Sequence, residues 1–330
     1  MGILRIHFSA EDLSLTRVAA SPDPLWEVVL SLHRLQTAKR HPSRSEYAGW
    51  HERVREGIRR SGLGGVIGGQ LMPIAPLSSY FPDFLTPGHT TDLREGVERV
   101  MRTPRTRIRA EVTRLTEARG AGPWLGDLAG GRAAPMIGLG HALRHYHEVA
   151  VAPYWSEICA SVAEERVLRG ARMLDGGIGQ VLCGLGPETS WEPPVLSIRY
   201  PQDRDLHLGD RGIELIPSYF CWHAPIALAD PDLPPILVYP AVRRRSEVLR
   251  TATDRALGPL MGRTRLRVLR AVASSATTGE LAHRAGISAG TATHHTSVLR
   301  EAGLIVSHRA GNLMIHHLTP LGESLLNRKG

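Results

Sequence analysis

The residues of this chain whose types and spacing best suit a chemical task are small and hydrogen-bonding. Ser288, Ala289, Gly290, Thr291, Thr293, His294 and Ser297 lie close together, with no acidic residue among them. A helix face built this way is slim enough to enter the major groove of a duplex and polar enough to meet base edges. Arg284 and Arg300 flank the group and are placed for phosphate. His308, Arg309 and Asn312 follow in a turn that reaches phosphate or a minor groove. For His294 a plain surface role stays open beside contact with a base.

Such a face needs a helix beneath it and a turn before it. Thr277-Thr-Gly-Glu280 is a capping-box pattern, and it predicts a helix over 280–285 with Leu281 and Ala285 inward. Gly286 suits the left-handed turn that ends it. Ile287 plugs the angle between helices, and Ser288 caps a helix running to about Ala302, with Ala292, His295 and Leu299 inward. An earlier helix near 262–273 places Leu266, Leu269 and Val272 on one stripe. Leu304–His308 and Leu313–Leu318 read as strands joined by Arg309-Ala-Gly-Asn312, where Gly-Asn is hairpin chemistry. Thr319-Pro320 then opens a last helix. This order describes a winged helix-turn-helix.

Residues 277–318 resemble the winged-helix domain of the ArsR family of bacterial repressors. The phrases that carry the likeness are Gly-Glu-Leu-Ala-His-Arg-Ala-Gly-Ile-Ser (279–288), Thr-Ala-Thr-His-His-Thr-Ser-Val-Leu-Arg-Glu-Ala-Gly-Leu-Ile (291–305) and Ile-His-His-Leu-Thr-Pro-Leu-Gly (315–322). The whole chain is similar to long actinobacterial regulators that carry this domain after an uncharacterised N-terminal domain. The resemblance implies a homodimer, a helix from Ser288 that reads the major groove, and a wing around Arg309 that touches backbone. The chain departs from the family in two ways. Thr296 stands where the family usually has a buried Leu. Residues 279–283 hold no Cys and 321–328 no His or Asp, so the family's metal sensing is not implied and no metal or cofactor is expected.

Charge points the same way. Residues 241–330 hold 14 Lys+Arg against 5 Asp+Glu, and 1–240 hold 26 against 27, so the last quarter of the chain carries the excess behind its net +8. Double-stranded DNA is the natural partner for such a segment, a merely soluble basic tail being the bland alternative. No stretch approaches the roughly 18 apolar residues of a membrane helix. Residues 1–8 lack a signal layout, and Cys159, Cys183 and Cys221 are scattered and odd in number, so a cytoplasmic location without membrane contact is expected.

The fold expectation is α+β: a mixed helical and antiparallel-sheet domain over 1–242 for regulation or dimerisation, a connecting helix over 243–257 capped by Ser246, and the winged helix over 258–330. Leu25, Val28, Val29, Leu32 and Leu35 recur at helical spacing. Further helices are expected over 92–101, 106–115 and 137–173, the last broken near Pro153. Loops are expected at 62–69, 73–87 and 120–132. The runs 195–200, 212–220 and 235–239 read as strands of a small, mainly antiparallel sheet, which a short strand over 3–8 could join.

Other candidates weigh less. His141 and His145 share a helix face beside His147 and Glu148, a spacing that suits zinc but lacks the metalloprotease Glu. Gly62-Leu-Gly-Gly-Val-Ile-Gly-Gly fails both the dinucleotide and P-loop patterns. Tyr154, Trp155, Tyr219, Trp222 and His223 either line an effector pocket or fill a core. No catalytic constellation stands out, so the chain is expected not to be an enzyme. The expectation is a homodimeric repressor on a pseudo-palindromic operator, its N-terminal domain sensing a small-molecule effector or mediating assembly. The alternatives are an enzyme with a DNA-binding tail and a weakly specific nucleoid-type protein.

Overall fold

The computed structural model describes residues 2–37, 47–78, 80–117, 122–222, 224–228, 230, 233–241, 258–272, 276–310 and 313–326. The chain divides into two compact units, Met1–Arg244 and Arg245–Gly330. The connecting helix expected over 243–257, with its cap Ser246, lies outside the described residues, as do His223 and Asn312.

The first unit runs β1 (Gly2–His7), α1 (Ala10–Leu15), β2 (Arg17–Val18), α2 (Pro24–Thr37), α3 (Ala48–Ser61), α4 (Gly64–Val66), a π-helical turn (Ile67–Leu71), α5 (Met72–Ile74), α6 (Leu93–Met101), α7 (Arg105–Glu117), α8 (Pro123–Ala129), α9 (Ala133–Ala150) and α10 (Trp155–Leu182). Then come β3 (Thr189–Glu192), β4 (Val195–Tyr200), β5 (Arg204–His207), β6 (Glu214–Ser218), β7 (Ile226–Ala227) and β8 (Ile236–Pro240). The class is α+β, and β1 joins β4 antiparallel with Leu4 opposite Ile198.

The single, mainly antiparallel sheet expected from sequence is instead two mixed sheets, ordered β3-β4-β1-β5 and β2-β6-β8-β7. In the second, β2, β6 and β8 run parallel, with Leu215 opposite Leu237. The reason is burial on both faces. Leu215, Leu237 and Tyr239 pack with Leu4, Ile6 and Ile198 of the first sheet. Ile216, Ile236 and Val238 point the other way, into the helical core with Trp26, Val29 and Leu32. A strand sandwiched between layers reads as a continuous apolar run, as Ile236-Leu-Val-Tyr239 does.

Two expected loops are also helical. Gly62 caps α3 in the left-handed region (φ 69°), but the chain then turns helically through residues 64–74. Leu63, Ile67, Leu71 and Ile74 are buried there at helical spacing, and that packing outweighs the poor propensity of the glycines. Within 120–132, Pro123 starts α8 and Leu125 and Leu128 are buried on one face. The break near Pro153 falls between α9 and α10, and α10 is kinked at Gly176-Gly177.

The second unit runs α11 (Arg263–Ala271), β9 (Ala276–Thr277), α12 (Thr278–Ala285), α13 (Ala289–Glu301), β10 (Ile305–Ala310), β11 (Leu313–Leu318) and α14 (Pro320–Leu326). Its core is Val268, Leu269, Val272, Leu281, Ala285, Leu299 and Ile305.

Candidate nucleic-acid interface

Local signals position the reading face. The Thr277 hydroxyl accepts the Glu280 N–H at 3.3 Å, and the Glu280 carboxylate accepts the Thr277 N–H at 2.8 Å. Those hydrogen bonds hold the Glu280 carboxyl below the usual carboxylate range. Gly286 ends α12 at φ 60°, ψ 45°. Ser288 then caps α13, its hydroxyl accepting the Thr291 N–H at 3.2 Å.

On α13, Ala292, Thr296 and Leu299 are buried. Ser288, Ala289, Gly290, Thr293, His294 and Arg300 are exposed, and Thr291 and Ser297 are half-buried. Above Gly290 a Cβ would meet only open space, so the first turn is bare. Thr296, where the resembled family has Leu, is 4% exposed and returns its hydroxyl to the Thr293 carbonyl at 3.0 Å. His295 is half-buried with its Nδ1 unpartnered, and burial lowers its pKa.

Some expected contacts are already engaged. Thr293 donates to the Ala289 carbonyl at 3.0 Å, leaving its methyl and its hydroxyl oxygen for a partner. Ser297 donates to Glu301 at 3.1 Å and accepts from Arg300 at 3.2 Å, so an acidic group stands at the far end of the face. Arg284 donates to the Ala271 carbonyl at 3.3 Å, which ties it to α11.

The wing is a three-stranded sheet ordered β10-β11-β9. Strands β10 and β11 pair antiparallel from Ile305 with Leu318 to Ala310 with Leu313. His308 and Arg309 are exposed on β10. His308 stacks on His317, the ring planes nearly parallel with centroids 4.5 Å apart and the Nε2 atoms 3.2 Å apart.

Sequence reasoning missed β9 and the residue that fastens the wing. His316 is 3% exposed. Its Nε2 lies 2.9 Å from the Thr278 hydroxyl at the start of α12, and its Nδ1 lies 2.8 Å from the Ser307 hydroxyl on β10. Burial holds its pKa below the usual imidazole value, so the ring is neutral, one nitrogen donating and the other accepting. The only sequence signal was the alternation of His316 and His317, one inward and one outward. In α14, Gly322 packs so closely on the Leu304 carbonyl that a Cβ would collide with it.

In the first unit the aromatic candidates have separate partners. The Tyr219 hydroxyl donates to Glu157 in the first turn of α10 at 2.9 Å. Tyr154 lies under the Arg53 guanidinium and Trp155 beside His147. Trp222 is 47% exposed and lies against Arg34. Phe220 between them stacks on Tyr47 and packs on Trp50, as core. His141 and His145 are exposed on α9, and among the described residues no group of three or more His, Cys, Asp or Glu is placed to hold a metal. No helix among the described residues is long and apolar enough to cross a membrane.

A family model described as a helix-turn-helix domain matches residues 260–308, from before α11 into β10. No curated protein and no solved structure matches the chain. The C-terminal unit is therefore a helix-turn-helix domain, the DNA-binding module of transcription regulators.

Proposed function

We propose that the chain is a sequence-specific transcription regulator, a homodimeric ArsR-like repressor acting in the cytoplasm by binding and not by turnover. The observation that carries this reading is the exposed first half of α13: bare at Ala289 and Gly290, polar at Thr293 and His294, and held by a cap and a left-handed glycine turn. Direct readout comes from Thr291, Thr293, His294 and Ser297. Arg309, His308 and Asn312 hold the wing on backbone, and Arg300 reaches phosphate. Two copies set their α13 helices about 34 Å apart on a pseudo-palindromic operator. Residues 1–242 control that spacing, by sensing an effector or by holding the dimer.

The test is selection of bound duplexes from a random pool, followed by titration of the selected and a scrambled duplex at fixed salt. A ratio of affinities of about 10³ or more at physiological salt supports the reading. A ratio near one points to nucleoid-type binding and overturns it.

A further inference from the structure

Along the buried helix α2, the side-chain atoms left without a hydrogen-bond partner are Trp26 Nε1, His33 Nε2 and Arg34 Nε, and of the three only Arg34 carries a charge. The Glu27 oxygens accept the N–H groups of Tyr219 and Phe220 at 2.8 and 3.1 Å. Ser31 donates to the Val28 carbonyl at 2.8 Å and lies 3.1 Å from the Tyr146 hydroxyl. Arg34 differs. It is 8% exposed, its Nε has no hydrogen-bond partner, and no carboxylate pairs with it among the described residues.

An uncompensated buried guanidinium is costly. The last turn of a helix offers it only partial negative charge. Cys221, whose charge would bear on Arg34, is a buried thiol pushed up to about 12 and therefore neutral. His33 and His51 are no rivals for an anion, because burial holds both imidazoles below their usual pKa, His33 at about 3. Of these groups Arg34 alone is charged. The ring of Trp222 lies 5.0 Å from its guanidinium carbon, yet nearly half of that side chain remains exposed.

We propose that Arg34 and Trp222 form a binding site for a small planar organic carboxylate. The guanidinium fork takes the carboxylate oxygens, and the exposed part of Trp222 packs on the ligand's apolar body. One cation on a planar fork matches a monoanionic carboxylate in charge and geometry. The inference rests on the effector reading of residues 1–242 and names its ligand class. Binding is measured without DNA, so its failure and failure of operator recognition are separate results.

The probe is benzoate on the full chain, followed by thermal shift, with benzamide as the neutral isostere and inorganic phosphate as the bare anion. Benzoate raises the melting temperature saturably, and the two controls do not. Arg34→Met raises the ligand-free melting temperature, because an unpaired buried charge is gone, and weakens benzoate at least about tenfold. Trp222→Leu leaves the ligand-free protein intact and also weakens benzoate. If Arg34→Met does not fold, Arg34→Lys decides: charge without the fork binds benzoate more weakly than the parent. No shift with benzoate, an equal shift with benzamide or phosphate, or unchanged benzoate affinity in Arg34→Met, Arg34→Lys or Trp222→Leu overturns the proposal.

Discussion

Helices α2 and α13 are nearly equal in length, 14 and 13 residues, and their side chains serve opposite ends. From Pro24 to Leu35 every residue of α2 is buried. On α13 only Ala292, Thr296 and Leu299 are buried, and the rest of the helix stands at the surface or half out of it. A helix buried all round is held by its neighbours, so its residues answer to packing. A helix anchored by a narrow stripe and a good cap keeps its outer face available for a partner. Substitutions should therefore separate stability from recognition along these two elements.

The largest expected effect is Trp26→Ala on α2, which should lower unfolding stability by about 3–5 kcal/mol in a urea titration. Equal stability in that variant would break the contrast. Next comes Glu27→Ala. It leaves a buried and a half-buried N–H group without an acceptor, and a loss of about 2–3 kcal/mol is expected in the same measurement. Thr293→Ala and His294→Ala on α13 should shift stability by no more than about 0.5 kcal/mol. They should instead cost about 1–3 kcal/mol of discrimination between a selected and a scrambled duplex. Equal losses on both duplexes would move those residues out of the readout. Arg309→Ala should leave stability alone, weaken every duplex alike, and reduce the slope of log affinity against log salt by about one.

The smallest expected effect concerns pH. His316 is held neutral when folded, below an unfolded value of about 6.5. Above that value folded and unfolded chains bind the same number of protons at this site. As pH falls below it, the unfolded ring takes a proton that the folded ring refuses, so stability declines toward acid. His316→Gln should flatten that decline in melts of the full chain between pH 7 and 5.

How far the sequence could be read followed the range of the forces involved. Thr277 with Glu280, Gly286 and Ser288 act within a turn of chain, and their caps stand as the spacing predicts. Helix α2 was legible because the apolar positions from Leu25 to Leu35 repeat. What escaped was set by distant partners. The two-residue strand β9 exists because β11 pairs with it, and the helical course of residues 64–74 exists because Leu63, Ile67 and Leu71 find a core. Parallel pairing of β6 with β8 depends on layers above and below them. At the reading face, the residue types were legible but their existing obligations were not: Ser297 on Glu301 and Arg284 on Ala271 are matters of side-chain geometry.

The fastening of His316 between Thr278 and Ser307 has a mechanical consequence. Both wing strands and the start of α12 are clamped through one imidazole, so the wing and that helix cannot be steered separately. The domain is therefore built to move as one body rather than to bend at a single finger.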